Sequence, residues 1–478
     1  MKQRLFDPKR LCRWTDGAME LLIGFFLSVF LLIIPLPGAS EKAGYGRISE
    51  LKTECLYALV GLILLHALLC FVRECVDARK TGKRLRPLTG TQLAALGFLI
   101  CTLASAALSP YGEKAWVDSV AHETALTVVL YVLFFLAVSR WGRATRRLRT
   151  VLFWTMAAFC LLCLLQMLGK NPFGLYPRNM SFYDGYDVQY RGAYLGTVGN
   201  VDLASAFLAL VIPILAVSSL KRPLRTVWQF WLLAAFCTGI LIWLRVLCGL
   251  VGLLFGAAVS LVVLCPALWR KRVLLVLSVS TVVGIVLLWS FDPTVQFLHE
   301  LHELLHGRAE DSFGTGRFFI WRQMLERVPE RLWFGIGPDA VREAGLLPFV
   351  RYDASGSIAA TAAITDAHCY PLQILFCQGL LALLCWLTTV GLVLRRWVAA
   401  RANRAAAALG SGLVCFLGAM CFCFSSVIIM PFFWLTLGLL EAETTDTVRL
   451  LESKHPMNSL QSSEKNDPLT KNRRVDHF

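Results

Sequence analysis

Apolar runs of membrane-spanning length return again and again along this chain, and few folds can accommodate that. With 56% hydrophobic and 17% charged residues, a water-soluble fold is excluded. The expectation is an all-α, polytopic membrane protein of about twelve transmembrane helices. These are placed near residues 18–36, 55–72, 91–109, 120–139, 149–168, 201–220, 227–244, 247–265, 272–291, 369–394, 405–423 and 426–441. Only one polar connection is long, residues 292–367, between the ninth and tenth runs. Residues 1–441 read as one transmembrane unit, and residues 442–478, polar and rich in Ser, Asn and Lys, as a disordered cytoplasmic tail.

The formal charge of +15 might suggest nucleic acid, but its distribution points to orientation. Lys2, Arg4, Lys9, Arg10 and Arg13 precede the first run; Arg73, Arg79, Lys80, Lys83, Arg84 and Arg86 follow the second; Arg140, Arg143, Arg146, Arg147 and Arg149 follow the fourth. Lys221, Arg222 and Arg225, Arg270 to Arg272, and Arg395, Arg396, Arg401 and Arg404 continue the alternation. An even number of spans keeps these groups on one side with the basic tail. Both termini are then cytoplasmic, and the 292–367 loop lies outside.

Sixteen cysteines would signal a disulfide framework in a small secreted protein. Here nearly all fall inside the apolar runs, Cys160, Cys163, Cys421 and Cys423 among them, and read as small apolar fillers. The run at 18–36 is long enough to span and lacks a convincing cleavage site after it, so it reads as the first helix rather than a signal peptide.

Two polar excursions on the outer side can make a site: residues 169–200 and 292–367. The first ends in Tyr190-Arg191-Gly192, where Arg191 would sit at headgroup level, as an anion contact or a snorkelling side chain. Arg245 is the only Lys or Arg within residues 226–265 and falls at the outer tip of a helical hairpin. Arg317 follows Gly314 and Gly316, with Trp321, Met324, Leu325 and Val328 after it at helical spacing. A short amphipathic helix starting there would aim a guanidinium and free N–H groups at an anion. His368 opens the tenth span, preceded by Asp366 and followed by Tyr370-Pro371. A lone interfacial histidine is usually structural; its company with the arginines makes it a candidate.

A rival motif is His302-Glu303-Leu304-Leu305-His306, which matches the H-E-x-x-H pattern of zinc proteases. The surrounding alternation of polar and apolar residues also fits an interfacial helix, and no third ligand is identifiable in the sequence. A transporter or flippase of lipid-linked glycan would show repeat halves and charges deep in the spans, and neither is visible.

Three blocks together resemble the O-antigen ligase and O-antigen polymerase family of bacterial membrane glycosyltransferases, over residues 191–394. Gly196-Thr197-Val198-Gly199-Asn200-Val201-Asp202 is similar to the family's G-x-x-G-N-x-N start of a helix, with Asp202 where Asn is usual. Gly316-Arg317, Ile320-Trp321 and Gly335-Ile336-Gly337-Pro338 resemble its G-R-x-x-I-W and G-x-G stretch. Ala367-His368-Cys369 with Gly379-Leu380 resembles its H-N-x-x-L block, Cys369 replacing Asn. The family's other arginine lies in a Ser-Arg-Gly-like motif; here Arg245 is kept in Leu244-Arg245-Val246-Leu247-Cys248-Gly249, its flanks altered.

The resemblance implies a GT-C-like architecture and transfer of a glycan from a polyprenyl diphosphate carrier to an acceptor hydroxyl at the outer face of the bacterial cytoplasmic membrane. It implies no metal, no cofactor, no nucleotide sugar and no nucleic-acid partner. Arg317 and Arg245 would offset charge on the leaving diphosphate, with Arg191 as helper, and His368 would serve the acceptor, oriented by Asp366. Trp321 is expected on the substrate-binding side. Ligase, polymerase and protein-glycosylating relatives share these groups, so the acceptor, whether glycan, lipid, cell wall or protein, stays open.

Overall fold

The computed structural model describes residues 8–35, 47–82, 84–117, 119–175, 195–220, 222–352 and 358–454. Every expected span coincides with a helix. The elements are α1 (Pro8–Leu32), α2 (Ile48–Thr81), α3 (Gly90–Ala107), a single turn α4 (Glu113–Trp116), α5 (Ala125–Trp141), α6 (Arg146–Met167), α7 (Val201–Ser219), α8 (Leu224–Leu244) and α9 (Leu247–Leu264). They continue with α10 (Ala267–Ser290), α11 (Gln296–Leu305), α12 (Phe313–Arg327), α13 (Tyr370–Ala399), α14 (Arg404–Met420) and α15 (Met430–Lys454). Among the described residues eight helices are long and apolar enough to cross a membrane, and Gly17–Leu32, Ala125–Trp141 and Arg404–Met420 are shorter apolar helices. The chain is an all-α polytopic membrane protein. One departure is a small antiparallel hairpin in the long loop, β1 (Phe349–Tyr352) with β2 (Ile358–Ala362).

Local chemistry sets several helix starts. Thr89 and Gln92 form a reciprocal capping box on α3, and the Oδ1 atoms of Asn200 and Asn403 accept from the first free N–H groups of α7 and α14. The bundle centres on α7, α14 and the first half of α15, whose residues are nearly all buried. Close approach comes from small residues: a Cβ on Gly252 of α9 would lie 2.5 Å from the Ala419 nitrogen of α14. Such contacts suit a bilayer, where apolar side chains gain nothing by leaving lipid and packing has to supply the attraction. In contrast α10 has no buried residue and stands at the periphery beside α9 and α11.

Several boundaries differ from expectation: α15, for one, runs on to Lys454, into the residues expected as a disordered tail. α14 stops at Met420 and α15 starts at Met430, so residues 421–429 form a non-helical segment where a two-residue turn was expected. Cys421 and Cys423 therefore lie outside any helix, and their reading as fillers within a span is corrected. The fifth helix of the list starts at Ala125, not near 120, because Ala121 and Glu123 give their N–H groups to the Asp339 carboxylate instead of to a helix turn.

The feature that positions the long loop is a break in α13. Gly379 has φ 87° and ψ 174°, which frees the carbonyls one turn earlier. The Phe376 carbonyl accepts from the Ile336 nitrogen (3.2 Å) and that of Cys377 from the Gly337 nitrogen (2.8 Å), while the Leu380 nitrogen donates to the Leu332 carbonyl (2.8 Å). The Ser105 hydroxyl gives the Cys377 carbonyl a second bond, 2.9 Å. Non-helical backbone is tolerated among membrane helices where protein groups satisfy it, as they do here. The Gly335-Ile336-Gly337 run is thus a backbone zipper between loop and helix: a Cβ on Gly379 would meet the Trp333 carbonyl oxygen at 2.3 Å. Gly379→Ala, clashing and strained at this φ, is expected to cost at least about 2 kcal/mol. A melting point in detergent equal to wild type would contradict this account of the break.

Candidate functional site

The loop end of the bundle gathers polar groups from four separate parts of the chain. Residues 314–316 carry φ values of 60°, 60° and 88°, so the regular turns of α12 begin only at Arg317. This left-handed approach folds the guanidinium back on its own backbone. Its Nη1 donates to the Gly314 carbonyl (2.6 Å) and the Thr315 hydroxyl (2.8 Å), and its Nη2 to the Phe422 carbonyl (3.2 Å) in the 421–429 segment. Nε is buried and has no partner among the described residues. A fixed guanidinium with an unspent N–H suits one further acceptor of planar, charged type.

His368 stands at the start of α13 with φ 48°, a conformation uncommon for a side-chain-bearing residue. Its backbone N–H donates to Asp366 Oδ1 at 2.8 Å, and the same carboxylate pairs with ring atom Nδ1. Asp366 is the more buried partner, 12% exposed against 31% for His368, so the ring reaches solvent while its orienting group does not. The turn is held from both sides: Trp321 Nε1 donates to the Ala367 carbonyl (2.8 Å), and the Ala367 nitrogen donates to Gln373 Oε1 (2.8 Å). Phe424, from the 421–429 segment, places its ring 5.5 Å from the imidazole.

His368 and Asp366 are in contact, and Arg317 and His368 both border the 421–429 segment, through Phe422 and Phe424. Trp321 spends its indole N–H on Ala367; in the structure it clamps α12 to the His368 turn, and this replaces a direct contact as its visible work. Arg245 ends α8 in a left-handed conformation, φ 54°, with its side chain exposed. No contact joins it to Arg317 or His368 among the described residues. It stays at the rim, three residues before Cys248, whose thiol lies 3.1 Å from the Ser205 hydroxyl. Arg191 lies outside the described residues.

One group escaped sequence reasoning. Asp202, in the first turn of α7, lies within electrostatic reach of His368, Arg317 and Asp366. A carboxylate in the opening turn of an otherwise apolar span was the available signal, but only the fold brings it within electrostatic reach of these groups. Behind this group, Asp339 accepts from the Ala121 nitrogen (2.9 Å) and the Glu123 nitrogen (3.3 Å). Burial pushes its carboxyl up to about 6, against the pull of these amides, and the nearby Asp366 charge adds to the rise. Left-handed backbone at Arg245, Thr315, Asp339 and His368 concentrates strain at this one end of the molecule.

The rival motif lies on α11. Glu303, which a zinc protease needs free to activate water, is held by Arg308 through bonds of 2.6 and 2.7 Å. His302 is bound to the Leu288 carbonyl (2.6 Å), Trp289 stacks on His306 with ring centres 4.3 Å apart, and no group of three or more metal-ligating side chains occurs among the described residues. The helix instead packs its imidazoles against α10, and its Glu300 carboxylate accepts from the Gly314 nitrogen at 2.9 Å.

No curated protein matches the chain in a sequence comparison. Residues 232–387 match the family model described as O-antigen ligase. That segment contains Arg245, Arg317, Trp321, Asp366 and His368, together with both halves of the backbone zipper. Through this domain, set in an all-α membrane bundle, the chain is similar to the O-antigen ligase family.

Proposed function

We propose that this protein transfers a glycan from a polyprenyl diphosphate carrier to an acceptor hydroxyl at the extracytoplasmic face of a bacterial cytoplasmic membrane, as a surface polysaccharide ligase or polymerase, with both termini cytoplasmic. Glycan transfer in surface polysaccharide assembly is what its O-antigen ligase domain indicates; the carrier, the face and the chemistry below are the proposal. The observation that carries it is an aspartate-held imidazole and a guanidinium with an unspent Nε, both bordering the 421–429 segment.

In this reading the acceptor oxygen attacks the anomeric carbon, the bond from that carbon to the diphosphate oxygen breaks, and the electron pair leaves with the polyprenyl diphosphate. Arg317 offsets the growing negative charge on the leaving group, a contact of a kind worth about 3 to 4 kcal/mol of barrier. Arg245 at the rim and Arg191 would add to the attraction. The acceptor proton goes to His368. With Asp366 on Nδ1, the ring proton is kept there and Nε2 is left as the accepting atom. This requires neither metal nor cofactor.

Reconstitution tests the reading. Purified protein in proteoliposomes, given a labelled polyprenyl diphosphate oligosaccharide and candidate acceptors, is expected to release polyprenyl diphosphate in step with product and in the presence of chelator. Loss of transfer in chelator, or transfer from a nucleotide sugar in place of the lipid carrier, would overturn it.

A further inference from the structure

At the end of the bundle opposite His368, two arginines meet without a counter-charge. Arg149, in the first turn of α6, reaches the far end of α7, where its Nη1 donates to the Ser218 carbonyl at 3.4 Å. Ser218 is 16 residues beyond Asp202, about 24 Å at the helical rise. The Arg149 guanidinium also lies over the Phe230 ring of α8, 4.9 Å from its centre, so one side chain ties three helices. Arg222, in the turn between α7 and α8, is within electrostatic reach of Arg149, as is Arg146. Arg149 and Arg222 are both half-buried, and the Nε atom of each is buried with no hydrogen-bond partner among the described residues. Elsewhere at this end arginines have carboxylates: Glu74 bridges Arg86 and Arg140, and Glu441 takes Arg396. Neither Arg149 nor Arg222 has such a pairing among the described residues.

The helix ends add to the excess. α6 opens on Arg146-Arg147-Leu148-Arg149 and α8 on Leu224-Arg225, with no acidic residue in either first turn. A helix N-terminus carries partial positive charge and favours an anion, so guanidiniums at two such ends leave the same need unmet twice. Half-buried like charges held together by packing are relieved by an anion between them, and phosphate oxygens match the planar fork of arginine. The surroundings are those of a headgroup. Trp154 of α6, five residues past Arg149, and Trp228 of α8, six past Arg222, are exposed, as indoles are where headgroups give way to chains. We propose that Arg149 and Arg222 hold the phosphodiester of an anionic phospholipid between the starts of α6 and α8. Basic pockets between membrane helices take headgroups of this kind on the cytoplasmic side, which is where the proposed orientation puts this end. Binding there needs nothing from the glycan reaction.

Purified protein in detergent micelles is titrated with phosphatidylglycerol and, separately, with phosphatidylcholine of the same chains, and retained lipid is counted by native mass spectrometry. Phosphatidylglycerol is expected to bind more tightly, its affinity falling roughly fivefold in Arg149→Gln or Arg222→Gln and further in the double variant. Arg225→Gln removes the same charge from an exposed position beside the pair and should change affinity by less than about twofold. A phosphatidylglycerol carrying a diazirine in its headgroup reads the wild-type protein directly, and its label is expected on the peptides that contain Arg149 and Arg222. Inorganic phosphate should displace this lipid no better than sodium chloride of equal ionic strength. Equal affinity for the two lipids, as great a loss in Arg225→Gln as in Arg149→Gln, or label absent from these peptides would overturn the proposal, since diffuse surface charge would then account for any binding. Full displacement by inorganic phosphate would overturn it as well, by making a soluble anion the occupant.

Discussion

Arg317→Lys is expected to lose transfer almost as completely as Arg317→Ala, with both variants present in the membrane at wild-type level. An ammonium carries the same charge, so only geometry separates the two residues. The guanidinium spends Nη1 on the Gly314 carbonyl and Thr315 hydroxyl and Nη2 on the Phe422 carbonyl while Nε stays unspent, and no point charge can hold three protein acceptors and still offer a directed N–H. Loss of this donor should cost about 100 to 1,000-fold in kcat. The check is initial-rate transfer by proteoliposomes with matched protein content. A lysine variant that retains a tenth or more of wild-type rate would mean that Arg317 is a headgroup contact only.

His368→Ala should lower transfer by on the order of 100 to 10,000-fold, the usual range for one acid–base group. Binding of the lipid-linked donor should survive, because the proposed mechanism gives the diphosphate contact to Arg317. Asp366→Asn is expected to fall between wild type and His368→Ala, since an amide can keep the backbone contact at 2.8 Å but not fix the ring proton. Donor binding and product formation are scored on the same sample. Normal turnover in His368→Ala, or loss of donor binding as severe as in Arg317→Ala, would take His368 off the acceptor side.

The twelve helices were legible because apolar runs of this length have one stable solution in lipid, and the expected spans differ from α1 to α15 mainly at their ends. Arg317, His368 and Asp366 were legible because polar groups at the margins of apolar runs stand out. What the sequence hid depended on backbone partners far along the chain. Nothing local shows that Gly379 opens α13 to receive Ile336 and Gly337, that residues 421–429 are unwound, or that Phe422 offers its carbonyl to a residue 105 positions earlier. Asp202 was visible as a departure from the family pattern, but its electrostatic reach to His368 and Arg317 is a product of the fold. Trp321, expected on the substrate-binding side, has in addition a bond the motif did not show, from its indole nitrogen to the Ala367 carbonyl.

The Phe422 carbonyl also bears on how the protein is made. Arg317 belongs to a stretch that leaves the ribosome before α13, yet one of its bonds is to a segment that exists only once α14 has been inserted and α15 begun. A nascent chain paused after the long loop would have the guanidinium, and paused after α13 the imidazole as well, without the Phe422 carbonyl that holds Nη2. On the proposed reading, competence waits for the α14–α15 hairpin to enter the bilayer.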